Sequence, residues 1–159
     1  MVDKVCNVFI SHIHEDDDRL QPLKDLLAAN GCQARDSSVN SSNPNRANDP
    51  DYIMRDILQP RIDWAGTVIV LVTPDTKDSD WVNREIEYAR EQDKRIIGVW
   101  DHGEHGCELP EKLDDYADKM VPWRGEDIIK AIFEVDDDEW IDPEGKPMPE
   151  RRIPRYKCS

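Results

Sequence analysis

Apolar residues along the chain follow two rhythms. Short runs of mostly apolar, β-forming residues occur at 7–12 (NVFISH), 67–73 (TVIVLVT) and 95–100 (RIIGVW), and these predict strands. Between them apolar residues recur at helical spacing. Leu20, Leu23, Leu26 and Leu27 predict a helix that stops at Asn30-Gly31, and Tyr52, Ile53, Ile57 and Leu58 predict a second that Pro60 ends or bends. A weak strand is predicted around 33–39 (QARDSSV), and the polar segment 40–49 (NSSNPNRAND) after it is loop by composition. Residues 77–92 (KDSDWVNREIEYAREQ) predict an amphipathic helix, followed past the third strong strand by a short helix at 111–117, a brief strand at 120–123 (MVPW) and a helix at 126–133.

Strands alternating with helices in this way specify an α/β domain with a parallel sheet. TVIVLVT is apolar on both faces, as a central parallel strand requires. The number of elements suits a five-stranded, flavodoxin-like three-layer sandwich with strand order 2-1-3-4-5. No G-x-G-x-x-G follows the first strand, which removes a dinucleotide cofactor site of the Rossmann kind. In this order the ligand crevice opens where strands 1 and 3 diverge. Ser11, His12, Ile13 and His14 then face the segment 73–81 across it. The domain is expected over 1–135. The remaining 136–159 hold four of the 11 prolines, an acidic start and a basic end, and predict an irregular tail anchored by Trp140 rather than a second domain.

Composition narrows the partners. A net charge of −14 repels phosphate backbones and argues against a general nucleic-acid binder. No run approaches the length of a membrane span, and the first residues lack the apolar core of a signal peptide. Cys6, Cys32, Cys107 and Cys158 show no paired spacing and read as reduced thiols of a cytoplasmic protein. His102, His105 and Cys107 supply only three candidate ligands in a loop of glycines and acids, so no metal site is expected there.

One charge departs from the pattern. With successive residues turned by about 100°, Val82, Ile86 and Ala89 form the core stripe of the 77–92 helix, and Arg84, Glu87 and Glu91 point to solvent. Glu85 falls only about 60° from the stripe, on a flank shared with Trp81 and Tyr88. A structural role exists for it, as a carboxylate near a helix start or paired with Arg84 or Lys94. Its place beside two aromatic rings, on the crevice side, also suits chemistry in which positive charge develops on a sugar carbon as a base departs.

These residues resemble a known family. NVFISH with its acidic turn is similar to the first strand and loop of TIR-type domains, and SDWVNREIEYA at 79–89 is similar to their S-x-W-x-x-x-E element. Within that superfamily the resemblance is to the TIR-like proteins of Thoeris anti-phage systems, over roughly residues 5–134. It implies a flavodoxin-like fold and cleavage of the nicotinamide–ribose bond of NAD⁺, which is a substrate and not a cofactor. It further implies conversion of the ADP-ribose portion to a cyclic or otherwise modified signal that activates a separate effector protein. By position Glu85 is then the catalytic glutamate and Trp81 shapes the pocket. Ser11 and His12 border the nucleotide site. Asp36, Ser37 and Ser38 begin a loop that in TIR domains covers the pocket and mediates self-association, which implies a homo-oligomer. Two other functions stay open at this point. One is a TIR interaction module without turnover, and the other is an enzyme like the nucleoside deoxyribosyltransferases, which share the fold and also use a glutamate on N-glycosidic bonds.

Overall fold

The computed structural model describes residues 6–12, 20–36, 58–73, 76, 79–100, 109–133 and 140–141. Strands and helices alternate as β1 (Cys6–Ser11), α1 (Leu20–Ala29), β2 (Cys32–Asp36), α2 (Gln59–Trp64), β3 (Thr67–Val72), α3 (Asp80–Glu91), β4 (Arg95–Trp100), α4 (Glu111–Tyr116), β5 (Lys119–Val121) and α5 (Gly125–Phe133). The sheet has the order β2-β1-β3-β4-β5, and every pairing in it is parallel. This is the flavodoxin-like order expected from the alternation of elements, with the fully buried β3 at its centre.

Successive strand residues point to opposite faces, so each strand feeds two cores. Phe9, Val68, Val70, Val72, Ile96, Trp100 and Met120 meet α2, α3 and α4 on one face. Val8, Ile10, Ile69, Ile97, Val99 and Val121 meet α1 and α5 on the other. Because α3 lies over β1, β3 and β4, its buried stripe of Val82, Ile86 and Ala89 fixes how deep its flanking residues sit.

Local chemistry sets the ends of α3. The Ser79 side chain accepts a hydrogen bond from the Val82 N–H at 3.1 Å, which satisfies one of the first-turn donors. At the far end Asp93 takes a left-handed backbone (φ 59°), and the Lys94 N–H returns to the Ala89 carbonyl at 2.9 Å. The helical periodicity therefore stops before Asp93.

Two expectations change. Pro60 does not end a helix at its own position. It lies in the first turn of α2, where a missing N–H costs nothing, and helical residues continue to Trp64. Cys6 and Cys32 are joined in a disulfide instead of standing as separate thiols, with Cα atoms 4.6 Å apart. Their 26-residue separation carries no local signal, but parallel pairing sets them directly opposite each other on β1 and β2. The tail returns to the sheet at Trp140 and Ile141. Trp140 is buried in the α3 core, the Ile141 N–H donates to the Met120 carbonyl at 2.8 Å, and the Trp100 indole donates to the Ile141 carbonyl at 2.9 Å.

Tyr52, Ile53, Ile57, the loop 40–49, His102, His105, Cys107 and Cys158 lie outside the described residues. Among the described residues no helix is long and apolar enough to cross a membrane.

Candidate functional site

Parallel strands leave their carboxyl ends along one edge of the sheet, and β1 and β3 are neighbours there. Ser11 is the last residue of β1 and pairs in register with Val70 of β3. It lies two residues beyond Phe9, so its side chain points to the face on which α3 packs. That helix starts beyond β3 at the same edge and brings Glu85 down onto it.

The two side chains meet. The Ser11 hydroxyl donates to Glu85 Oε1 at 2.6 Å, and both residues are fully shut off from solvent. The second carboxylate oxygen is buried as well. Helix periodicity set Glu85 on the flank of the stripe, at the edge of the core. In the fold the flank itself is covered, because β1 supplies a wall that periodicity along one helix does not contain. A carboxylate in such surroundings acts in low dielectric, where its charge influences its neighbours far more than in water. A short O–H···O contact to a carboxylate is among the stronger hydrogen bonds and holds the group in one orientation.

The other expected residues are distributed as follows. His12 follows Ser11 directly and is also buried. Trp81 is half-buried in the first turn of α3, packs against the core, and has the Arg84 guanidinium over its ring at 5.2 Å from the centroid. Asp36 ends β2 opposite Ile10, one strand away from β3. Ser37, Ser38, Ile13 and His14 lie outside the described residues. Tyr88 turns toward α2. It stands about one turn beyond Glu85 along α3, where its hydroxyl donates to Asp63 Oδ1 at 2.6 Å on α2. Burial, then the hydrogen bond and charge of Asp63, push this phenol up to about 12.

Two residues of this region escaped the reading by periodicity. Thr73 and Thr76 are buried polar residues in the connection from β3 to α3. Their signal in the sequence was the stretch TPDT, in which hydroxyls three residues apart flank turn-forming residues.

With the site in place, likeness to known proteins decides the family. A model of the Thoeris protein ThsB, TIR-like domain, matches residues 9–105, more than half of the chain. The chain belongs to the ThsB TIR-like family. Both Ser11 and Glu85 fall inside the matched span. Among solved structures, the TIR domain of the Toll-related receptor TRR-2 from Hydra magnipapillata aligns with a TM-score of 0.53 at 18% identity, covering 82% of this chain and 98% of that one. A conserved protein from Enterococcus faecalis V583 aligns with a TM-score of 0.57 at 9% identity, covering 82% and 99%. At these identities the likeness establishes the fold. No curated protein matches the sequence.

Proposed function

We propose that this ThsB-type TIR-like domain cleaves the bond between nicotinamide and ribose in NAD⁺. The ADP-ribose portion then leaves as a cyclic or otherwise modified nucleotide that activates a separate effector protein in cytoplasmic anti-phage defence. The observation that supports this most directly is the buried Glu85 carboxylate, oriented by the Ser11 hydroxyl at the carboxyl end of β1. As nicotinamide departs, positive charge builds on the ribose carbon. A desolvated carboxylate stabilises that charge or bonds to the carbon. Ser11, by donating to Oε1, holds the carboxylate for this task. In the same proposal His12, Asp36, Ser38 and Trp81 border the nucleotide, and the loop after β2 brings copies of the chain together.

The test is direct. Purified protein at high concentration is given NAD⁺ and, separately, a deoxynucleoside, and released nicotinamide and free base are quantified. Nicotinamide release with no base release is expected. Base release alone would favour a deoxyribosyltransferase-like enzyme, which the same carboxylate could serve. Release of neither would leave an interaction module.

A further inference from the structure

The connection from β3 to α3 is held by a buried pair of hydroxyls. Thr76 is fully buried, and its Oγ1 accepts the Thr73 N–H at 2.8 Å. The same oxygen donates to the Leu71 carbonyl at 3.3 Å and lies 3.0 Å from Thr73 Oγ1. A hydroxyl has a single proton to give. Either hydroxyl can supply the proton between the two threonines. The backbone repeats the connection, with the Thr76 N–H bonded to the Thr73 carbonyl at 3.1 Å.

From Thr76 the bonds continue into the helix. The Ser79 N–H donates to the Thr76 carbonyl at 3.0 Å. Ser79 in turn caps α3, accepting the Val82 N–H on its hydroxyl and both the backbone and side-chain N–H of Asn83 on its carbonyl. Glu85 stands in the next turn. Two structural routes therefore meet at the hydrogen bond between Ser11 and Glu85. One runs through the sheet, where Ser11 pairs with Val70, and the other runs from Leu71 through Thr76 and Ser79.

We infer that Thr76 is a positioning residue for Glu85: its hydroxyl ties the end of β3 to the start of α3 and so sets the carboxylate against Ser11. Valine in its place fills a similar volume but removes the hydroxyl that accepts from the Thr73 N–H and donates to the Leu71 carbonyl. The turn then relaxes, and the start of α3 shifts relative to β1. A displacement well under 1 Å is enough to lengthen a 2.6 Å contact beyond its strong range. The effect on turnover rests on the proposed role of Glu85, whereas the effect on the Ser11–Glu85 contact does not.

The experiment has one arm for each. In the first, Thr76→Val and Ser11→Ala are combined in a double-mutant cycle read by denaturant unfolding. Ser11→Ala is expected to weaken folding less in the Thr76→Val background than in wild type, by about threefold or more in the folding constant. Additive effects would overturn the inference. In the second arm, nicotinamide release by Thr76→Val is expected to fall about tenfold or more in kcat with KM little changed, and Thr76→Ser, which keeps the hydroxyl, is expected to restore it. Wild-type kcat in Thr76→Val, or failure of Thr76→Ser to restore it, would also overturn the inference. Should wild type release no nicotinamide, the proposed reaction fails and the double-mutant cycle alone decides the role of Thr76. If Thr76→Val does not fold, Thr76→Ala replaces it in both arms with the same expectations.

Discussion

The Ser11 hydroxyl and the Glu85 carboxylate, 74 residues apart in the chain, share a buried hydrogen bond of 2.6 Å. A strand end and a helix flank are joined there at the carboxyl edge of the sheet, where parallel α/β folds place their chemistry. Burying a carboxylate costs several kcal/mol unless hydrogen bonds compensate, and the Ser11 hydroxyl contributes one such bond. A buried carboxylate at that edge of the sheet is a candidate for function.

Replacing Glu85 tests that directly. Glu85→Gln retains the carbonyl oxygen that accepts from Ser11 and removes the charge. Thermal stability is expected to stay near wild type while nicotinamide release falls by at least about 10²-fold. Glu87, half-exposed and paired with Lys112 at 3.2 Å, is the control. The hydrogen bond and charge of Glu87 hold the Lys112 ammonium above its ordinary range, yet a surface ion pair contributes little, so Glu87→Gln is expected to leave turnover unchanged. Full activity in Glu85→Gln, or loss of activity only through unfolding, would make the carboxylate structural.

Tyr88 makes stability depend on high pH. Its phenol is raised from 10.0 to about 12, first by burial and then by the hydrogen bond and charge of Asp63. The protonated phenol is thus favoured by the folded state. Its contribution is fully present below the unfolded value of about 10 and is lost as pH rises through the folded value of about 12. Urea midpoints followed across that interval are expected to fall more steeply for wild type than for Tyr88→Phe. Equal slopes would place the dependence on other groups.

Gly98 makes room for a side chain of the next strand. A Cβ added there would overlap Met120 Sδ and press on Leu113 in the fully buried core under α3 and α4. Gly98→Ala is expected to lower stability by about 1–3 kcal/mol through overpacking. Shortening Met120 to valine in the same chain should recover part of the loss. Calorimetry on the single and double variants distinguishes this clash from a general intolerance of change in β4.

The Cys6–Cys32 disulfide closes a loop between residues 26 apart. For a loop of that size the constraint on the unfolded chain amounts to about 3–4 kcal/mol. Non-reducing peptide mapping is expected to recover the two cysteines as one cross-linked species, and Cys32→Ala is expected to lower the melting temperature. Recovery of both as free thiols under oxidising conditions would show that register alone brings them together.

The parts of the fold legible in the sequence are those that depend on near neighbours. Runs apolar on both faces marked β3 and β4 as buried parallel strands, and helical spacing marked the buried stripe of α3 with Glu85 beside it. The resemblance over 79–89 singled out the same glutamate. Helix angles also set Tyr88 on Glu85's flank, because they give direction around the axis and say nothing of what waits at each level along it. In the fold that residue reaches α2 instead. The partners themselves came only with the tertiary structure: Ser11 for Glu85, Cys32 for Cys6, Thr76 for the end of β3, and Trp140 for the core under α3. Most of these contacts join distant segments, and even the short-range Thr76 link depends on the path of its turn. Their distances follow from sheet register and from the depth at which helices settle on the sheet. Periodicity is a property of one element at a time, whereas a site at the carboxyl ends of parallel strands is made by several elements at once.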